Sequence, residues 1–379
     1  MTRSSSVARP ALWWVSAVAR LLPVLVAASL LGGIAGGLLR AGVALPGIAG
    51  AGWLADAALA HAALMVCGFM GTAIGIERAV ALKWRAAWLA PLASSLGGIC
   101  LLIGQHAAGA WLEVAAGIFF MAVNLVLVRR QRASHTMLLL GSAIAWLTGN
   151  LMFASGQGST ATVPWWFGFL VMTIAAERLE MTRLMRRRAG AQPSLYVFLA
   201  AMLAGSALSA VSPVAGGVLY GSALLLLAMW LITFDIARRT VFTEGLARYM
   251  AVCLLGGYFW LALAGVAWVA TALGLPARDV ALHALGLGFT VSMMMGHAPV
   301  ILPAVARVKL HFSGFFYLPL AALHLSLLVR LGLGFADLRL RAAGAVFNAL
   351  AIALFAATAL AAALAWRIHH GARGAGQSN

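Results

Sequence analysis

The chain has 379 residues, of which 63% are hydrophobic and only 9% charged, and its mean hydropathy is +0.98. An ordinary soluble protein would carry far more charge, so this class is excluded. The net charge of +17 comes from small basic clusters between apolar runs, which favours a lipid bilayer over nucleic acid as the partner.

Twelve apolar runs follow one another along the chain, and a helix of about 20 such residues crosses a bilayer. The runs are continuous and rich in Leu, Ala, Gly and Met, whereas transmembrane strands would alternate in polarity over about 10 residues. The sequence therefore predicts an all-α, polytopic helical bundle that forms one membrane domain over residues 1–379. The predicted spans are 11–39, 57–80, 87–104, 110–128, 135–155, 165–182, 194–212, 216–237, 249–274, 280–304, 313–332 and 342–366.

Basic residues are concentrated in alternate breaks between the spans. With the first end in the cytoplasm, the inner breaks contain Arg78, Lys83, Arg85, Arg129, Arg130, Arg132, Arg183, Arg186, Arg187, Arg188, Arg238, Arg239, Arg248, Arg307 and Lys309. The outer breaks contain only Arg40, Arg278, Arg330, Arg339 and Arg341. This asymmetry follows the positive-inside rule and predicts that both chain ends are cytoplasmic. The first span lacks a small-residue cleavage site, which predicts an uncleaved signal anchor.

The second span carries His61 near its start, followed by Met65, Gly68 and Thr72 at spacings of four, seven and eleven residues. In a regular helix these four residues lie on one face. The side chains on that face are small or flexible enough to leave room for a flat macrocycle. Alternatively, the small residues let two helices approach closely while the histidine donates a hydrogen bond to a backbone carbonyl.

Spans two and six share a motif, because GFMGTAIGIER at 68–78 and GFLVMTIAAER at 168–178 match at Gly, Phe, Ile, Glu and Arg. A weaker third copy begins at Gly288, with His297 in place of Glu77 and Glu177. Spans two, six and ten would then correspond, which suggests three groups of four helices. The Glu-Arg pairs favour salt bridges between helices, with a proton path as the alternative.

The tenth span carries His283 near its start, at the same predicted depth as His61 because even-numbered spans run in one direction. Two imidazoles at one depth can bind a haem iron from opposite sides, which predicts His61 and His283 as axial ligands. Asp56 and Asp279 precede the histidines and favour helix N-caps, although either carboxylate could instead orient an imidazole.

Two further histidines lie inside spans. His297 follows His283 by 14 residues, about 21 Å along a helix, so it cannot share a metal with His283. His324 lies on span eleven. Both favour structural roles, with a second site or a proton path as the alternative.

The last outer loop, GFADLRLRAAG, carries Arg339 and Arg341 against the positive-inside trend. These cations could pair with haem propionates, or they could contact lipid headgroups. Cys67, Cys100 and Cys253 lie within spans and form no CxxC pair, so no disulfide is predicted. A Walker loop, a dinucleotide-binding motif and HExxH are all missing from the sequence.

The stretches HAALMVCGF at 61–69 and ALHALGLGF at 281–289 resemble the NnrS family, twelve-span haem proteins associated with the bacterial response to nitric oxide. The resemblance carries over His61, Met65, Gly68, Phe69 and His283, and it implies a b-type haem in an inner membrane.

A more distant likeness is to the catalytic subunit of haem–copper oxidases, where helices two and ten hold low-spin haem and an arginine pair lies between the last two helices. The chain departs from that family in lacking the histidines of a copper site and a high-spin haem, so copper has no visible ligand set.

The sequence thus predicts an inner-membrane haem protein that binds or senses a diatomic gas such as nitric oxide, or relays electrons. Two alternatives are a cofactor-free transporter with a path through Glu77, Glu177, His297 and His324, and an assembly partner of a respiratory complex. The sequence assigns no oligomeric state.

Overall fold

The computed structural model describes residues 13–48, 50–181, 190–306 and 308–375, which are almost entirely helical and include no strand. Twelve helices in this part of the chain are long and apolar enough to cross a membrane. The predicted all-α polytopic bundle is therefore confirmed, and the protein is a multi-pass membrane protein. The spans, α1 to α12, are Val18–Arg40, His61–Leu82, Arg85–Leu102, His106–Arg130, Ser134–Ala154, Ser159–Met181, Ala191–Leu208, Pro213–Phe234, Gly245–Ala272, Arg278–Pro303, Gly314–Phe335 and Leu338–Ile368.

Each helix matches one predicted span, with ends that shift by a few residues. The shift matters most at α12, which begins at Leu338 instead of residue 342. Arg339 and Arg341 were expected in a loop, but they lie in the first turn of this helix. Five of the basic residues that were predicted in the inner breaks lie outside the described residues: Arg183, Arg186, Arg187, Arg188 and Arg307.

The centre of the bundle is formed by α2, α6 and α10, which contact one another. In the most apolar stretch of α6, 83% of the residues are buried, against 11% in α12. Since the side chains of α12 are mostly exposed yet apolar, this helix presents its surface to lipid. The polar residues of α2, α6 and α10 are therefore held away from the hydrocarbon.

The first helix contacts the beginning of α2 through the glycines of its GGIAGG sequence at 32–37. A Cβ atom on Gly36 would lie 2.3 Å from the backbone oxygen of Ala57, and one on Gly37 would lie 2.6 Å from the imidazole of His61. Small residues spaced by four allow helices to approach this closely in a membrane. The glycines of α1 thus form a wall against His61.

Both α2 and α10 contain a π-helical segment, at Leu64–Gly71 and at Ala284–Val291. Each segment begins within three residues of the histidine that opens the helix. A π-turn widens the helix by one residue and rotates all later side chains relative to an α-helix. Segments of this kind are rare in proteins, but those that occur are often at functional sites. Their similar placement on α2 and α10 therefore indicates a functional site near the two histidines.

Candidate functional site

His61 and His283 face each other across a cavity between α2 and α10. Their ring centroids are 6.4 Å apart and their planes are inclined by 30°. Each histidine lies in the first turns of its span, so the equal depth expected from the sequence is what brings the rings together.

The imidazole of His61 is held by α1. Its Nδ1 lies 2.7 Å from the backbone oxygen of Gly33, and because a carbonyl can only accept, Nδ1 must donate its hydrogen. In the neutral ring the lone pair is then on Nε2. In this tautomer a metal would bind at Nε2, and the close approach of Gly37 limits movement of the ring.

The imidazole of His283 is held at both nitrogens. Its Nδ1 lies 2.9 Å from Oδ1 of Asp279 and 3.0 Å from the backbone oxygen of the same residue, so Nδ1 donates here as well. Its Nε2 accepts from Nη2 of Arg330 at 3.0 Å. The N-cap role expected for Asp279 is wrong, because its carboxylate orients His283 and the helix that contains it is capped by Ala277 without a side-chain bond.

Asp279 also forms a two-bond salt bridge with Arg330. The guanidinium Nη2 lies 3.0 Å from Oδ1, and Nε lies 3.2 Å from Oδ2. Arg330 is only 8% exposed, and Asn348 on α12 is 3.5 Å from its Nη1. Asp56, the other expected N-cap, instead pairs with His106 on α4 at 2.8 Å and does not reach His61.

The space around the two imidazoles is a cavity of about 460 Å³, which we call the histidine cavity. Its volume lies within the range of about 300–1,000 Å³ that is usual for cofactor and ligand sites. The walls are largely apolar and include Met65, Val66, Val163, Phe167 and Leu287.

Four arginines line the histidine cavity, and only Asp279 opposes them with a carboxylate. They are Arg40, Arg278, Arg330 and Arg341. Arg330 is paired with Asp279, whereas the other three bond to neutral oxygens of the protein among the described residues. The cavity therefore has an excess of positive charge that favours an anionic group.

These four arginines are four of the five that the positive-inside pattern left on the outer side. The fifth, Arg339, is exposed and does not line the cavity. Of the expected pair, Arg341 alone is therefore at the site. Its Nε donates to the backbone oxygen of Gly334 at 3.0 Å, which turns the side chain back along the beginning of α12.

The predicted face of α2 is divided in the structure: Met65 lines the histidine cavity, whereas Gly68 and Thr72 do not. Gly68 instead lies against Ser29 and Gly98, and Thr72 is buried without lining the cavity. The π-helical segment explains the change, because the extra residue in the turn rotates positions seven and eleven away from His61.

A second, smaller cavity of about 80 Å³ lies between the far halves of α2, α6 and α10, and we call it the glutamate cavity. Glu77, Glu177 and His297 line it, which are the residues at equivalent positions of the repeated motif. Nη2 of Arg78 donates to Oε1 of Glu177 at 3.0 Å, which is a salt bridge between helices as the sequence predicts. Arg178 lies 2.7 Å from Nε2 of His297.

Met70 and His324 differ in their positions relative to these two cavities. Met70, within the π-helical segment of α2, lines both cavities and so lies between them. His324 lines neither, and its Nδ1 accepts a bond from the indole of Trp260 at 2.6 Å. Of the four residues named for the alternative path, the glutamate cavity therefore brings together Glu77, Glu177 and His297.

Among the described residues, no group of three or more His, Cys, Asp or Glu side chains is placed to hold a metal ion. A bis-histidine haem site needs only two protein ligands, since the macrocycle supplies the other four. Cys67, Cys100 and Cys253 are free thiols.

One family model matches the chain, over residues 19–364, and it is described as a domain of unknown function (DUF8744). The chain belongs to the DUF8744 family. The matched region contains both cavities and every residue assigned to them above, so the site lies within what defines the family. No curated protein and no solved structure matches the chain.

Proposed function

We propose that this DUF8744 protein binds one haem in the histidine cavity, with His61 and His283 as the axial ligands. The observation that carries the proposal is the facing pair of imidazoles in a cavity rich in arginine. An iron–imidazole bond of about 2 Å on each side places two axial rings with their centroids roughly 6 Å apart. The separation of 6.4 Å between His61 and His283 fits this requirement.

The tautomers support the same assignment. Both histidines donate from Nδ1, to Gly33 and to Asp279, so both present Nε2 as the metal-binding nitrogen. Such outer hydrogen bonds orient an imidazole and make it a stronger ligand.

The charges also fit a haem. Arg40, Arg278 and Arg341 supply cations without carboxylate partners among the described residues, as two propionates require. The walls at Met65, Val66 and Phe167 are apolar, as the macrocycle requires. Since the sequence has no CxxCH attachment motif, the haem would be held by these contacts alone, as in b-type proteins.

The role that follows is gas binding or sensing, with nitric oxide as the first candidate because of the resemblance to NnrS, or electron relay. When bound, the haem would supply an iron centre that exchanges one electron or binds a diatomic gas. The chain would hold its ligands, exclude water with the apolar walls and neutralise its propionates. The alternation of basic residues supports cytoplasmic chain ends, and the resemblance to NnrS supports a bacterial inner membrane.

The test is the visible spectrum of the purified full chain, oxidised and reduced, after expression with ample haem. We expect the sharp bands of a low-spin haem, and we expect His61→Ala and His283→Ala each to abolish them. His297→Ala is the matched control, because this histidine lines the glutamate cavity and should leave the spectrum intact. A wild-type protein without haem, or two variants with unchanged spectra, would refute the proposal.

A second candidate function rests on the same arginines. A cofactor-free transporter for a small anion would also place cations in a cavity within the bundle. It gives no reason for two facing imidazoles of the metal-binding tautomer, which is why we prefer haem. Colourless protein that takes up an anion into vesicles would favour the transporter.

A further inference from the structure

We propose that His283 is the exchangeable one of the two axial ligands, and that Arg330 and Asp279 hold its imidazole when it leaves the iron. A small neutral diatomic ligand would then bind on the His283 side. This inference rests on the proposed function, but it makes a separate claim, because a haem protein with two equally fixed histidines would satisfy the first proposal and not the second.

The two histidines differ in what surrounds the metal-binding nitrogen. His61 lines the cavity and its Nδ1 is bonded to the backbone of α1, while its Nε2 has no hydrogen-bond partner among the described residues. Nε2 of His283 instead accepts a hydrogen bond from Arg330 at 3.0 Å. The lone pair that would bind iron therefore has a second partner within the protein only at His283.

The backbone environment differs in the same sense. His61 lies against Gly37 of α1 at a distance that leaves no room for another side chain, and its acceptor is a main-chain carbonyl, which cannot rotate. His283 also bonds to a main-chain oxygen, that of Asp279, but its other partners are the side chains of Asp279 and Arg330, which can turn about their own bonds. Rotation of the imidazole between iron and Arg330 thus needs no movement of a helix.

The receptor for the released ring is already complete. Asp279 fixes the guanidinium with two bonds, and Asn348 contacts its remaining nitrogen, so Arg330 stays in place without the histidine. In such an exchange His61 would continue to hold the iron, the lone pair of His283 Nε2 would pass from iron to the Arg330 N–H, and the incoming ligand would donate its own electron pair to iron. No proton or electron is transferred.

Carbon monoxide is the probe, titrated into the reduced, haem-loaded full chain. We expect it to bind with loss of the low-spin bands, at a rate that reaches a plateau because release of His283 is limiting. Arg330→Met should weaken the affinity for carbon monoxide at least tenfold, since the released ring loses its partner. Arg339→Met is the matched control, since this exposed arginine does not line the cavity and should behave as wild type.

A second comparison keeps the inference testable where Arg330→Met fails to fold. We expect His283→Ala to retain a five-coordinate haem that binds carbon monoxide without the plateau, and His61→Ala to lose haem. Equal behaviour of these two variants, or an unchanged affinity in a folded Arg330→Met protein, would overturn the inference while leaving a low-spin wild-type spectrum, and with it the proposed function, in place. Colourless wild-type protein would overturn both.

Discussion

Replacing Gly37 by alanine should weaken haem binding by displacing His61 without altering any ligand. The new Cβ would lie 2.6 Å from Cε1 of the imidazole, whereas carbon atoms in contact prefer about 3.5–4.0 Å. The ring must therefore retreat by about 1 Å, which lengthens its 2.7 Å bond to the oxygen of Gly33 beyond the usual hydrogen-bond limit. Loss of such an orienting partner typically reduces metal affinity about 10- to 100-fold, or roughly 1.4–2.7 kcal/mol.

The measurement is the rate of haem transfer from the loaded protein to an apo-globin acceptor, together with a haem titration of the empty protein. Gly168→Ala is the matched control, because Gly168 is likewise a glycine inside a membrane-spanning helix and a Cβ there would find its nearest neighbour at 3.7 Å. We expect the control to behave as wild type. If Gly37→Ala and Gly168→Ala retain haem equally well, the wall formed by α1 does not position His61.

Two further predictions concern the arginines and the topology. Arg341→Gln should accelerate haem loss several-fold without changing the low-spin bands, because Arg341 lines the cavity. Arg339→Gln should leave both the rate of haem loss and the bands unchanged, because Arg339 does not line it. Equal effects of the two substitutions would assign both arginines to the surface. Reporters fused after Arg132 should be cytoplasmic and those in the GQGSTATVP segment at 156–164 periplasmic, because the basic residues orient the spans; the opposite signals would invert the proposed topology.

The helices and the histidine pair could be predicted because both depend on position along the chain alone. An apolar run of sufficient length must be a helix in a bilayer, where every backbone group needs an internal partner. Since α2 and α10 run in one direction, histidines near their starts lie at one depth. The positions and directions of the spans therefore predict that His61 and His283 lie at the same depth.

The faces of the helices could not be predicted in the same way. Gly68 and Thr72 were assigned to the cavity by a regular helical period, and the π-helical segment at Leu64–Gly71 rotates them away. A π-turn depends on how neighbouring helices accommodate the wider backbone, which local sequence does not reveal. Likewise, the direction of Arg339 and Arg341 depended on where α12 begins, a boundary that hydropathy places only within a few residues.

One signal in the sequence was stronger than its first interpretation. Five arginines fall in the breaks that the positive-inside pattern assigns to the outer side, and four of them line the histidine cavity. A cation retained on the unfavoured side of a membrane requires a specific partner. The positions of Arg40, Arg278 and Arg330 in the sequence therefore indicate the site as clearly as that of Arg341 does.

The position of Met70 has a consequence for how an electrical potential would be distributed through the protein. A cavity that includes ionisable side chains in its lining lies on each side of this thioether, which lines both of them. In the protein without haem, water that entered both cavities would shorten the insulating layer to the thickness of the residues around Met70, so most of the transmembrane voltage would fall there. Each elementary charge that crossed this layer would then experience nearly the full energy of about 2.3 kcal/mol per 100 mV over a distance much shorter than the bilayer.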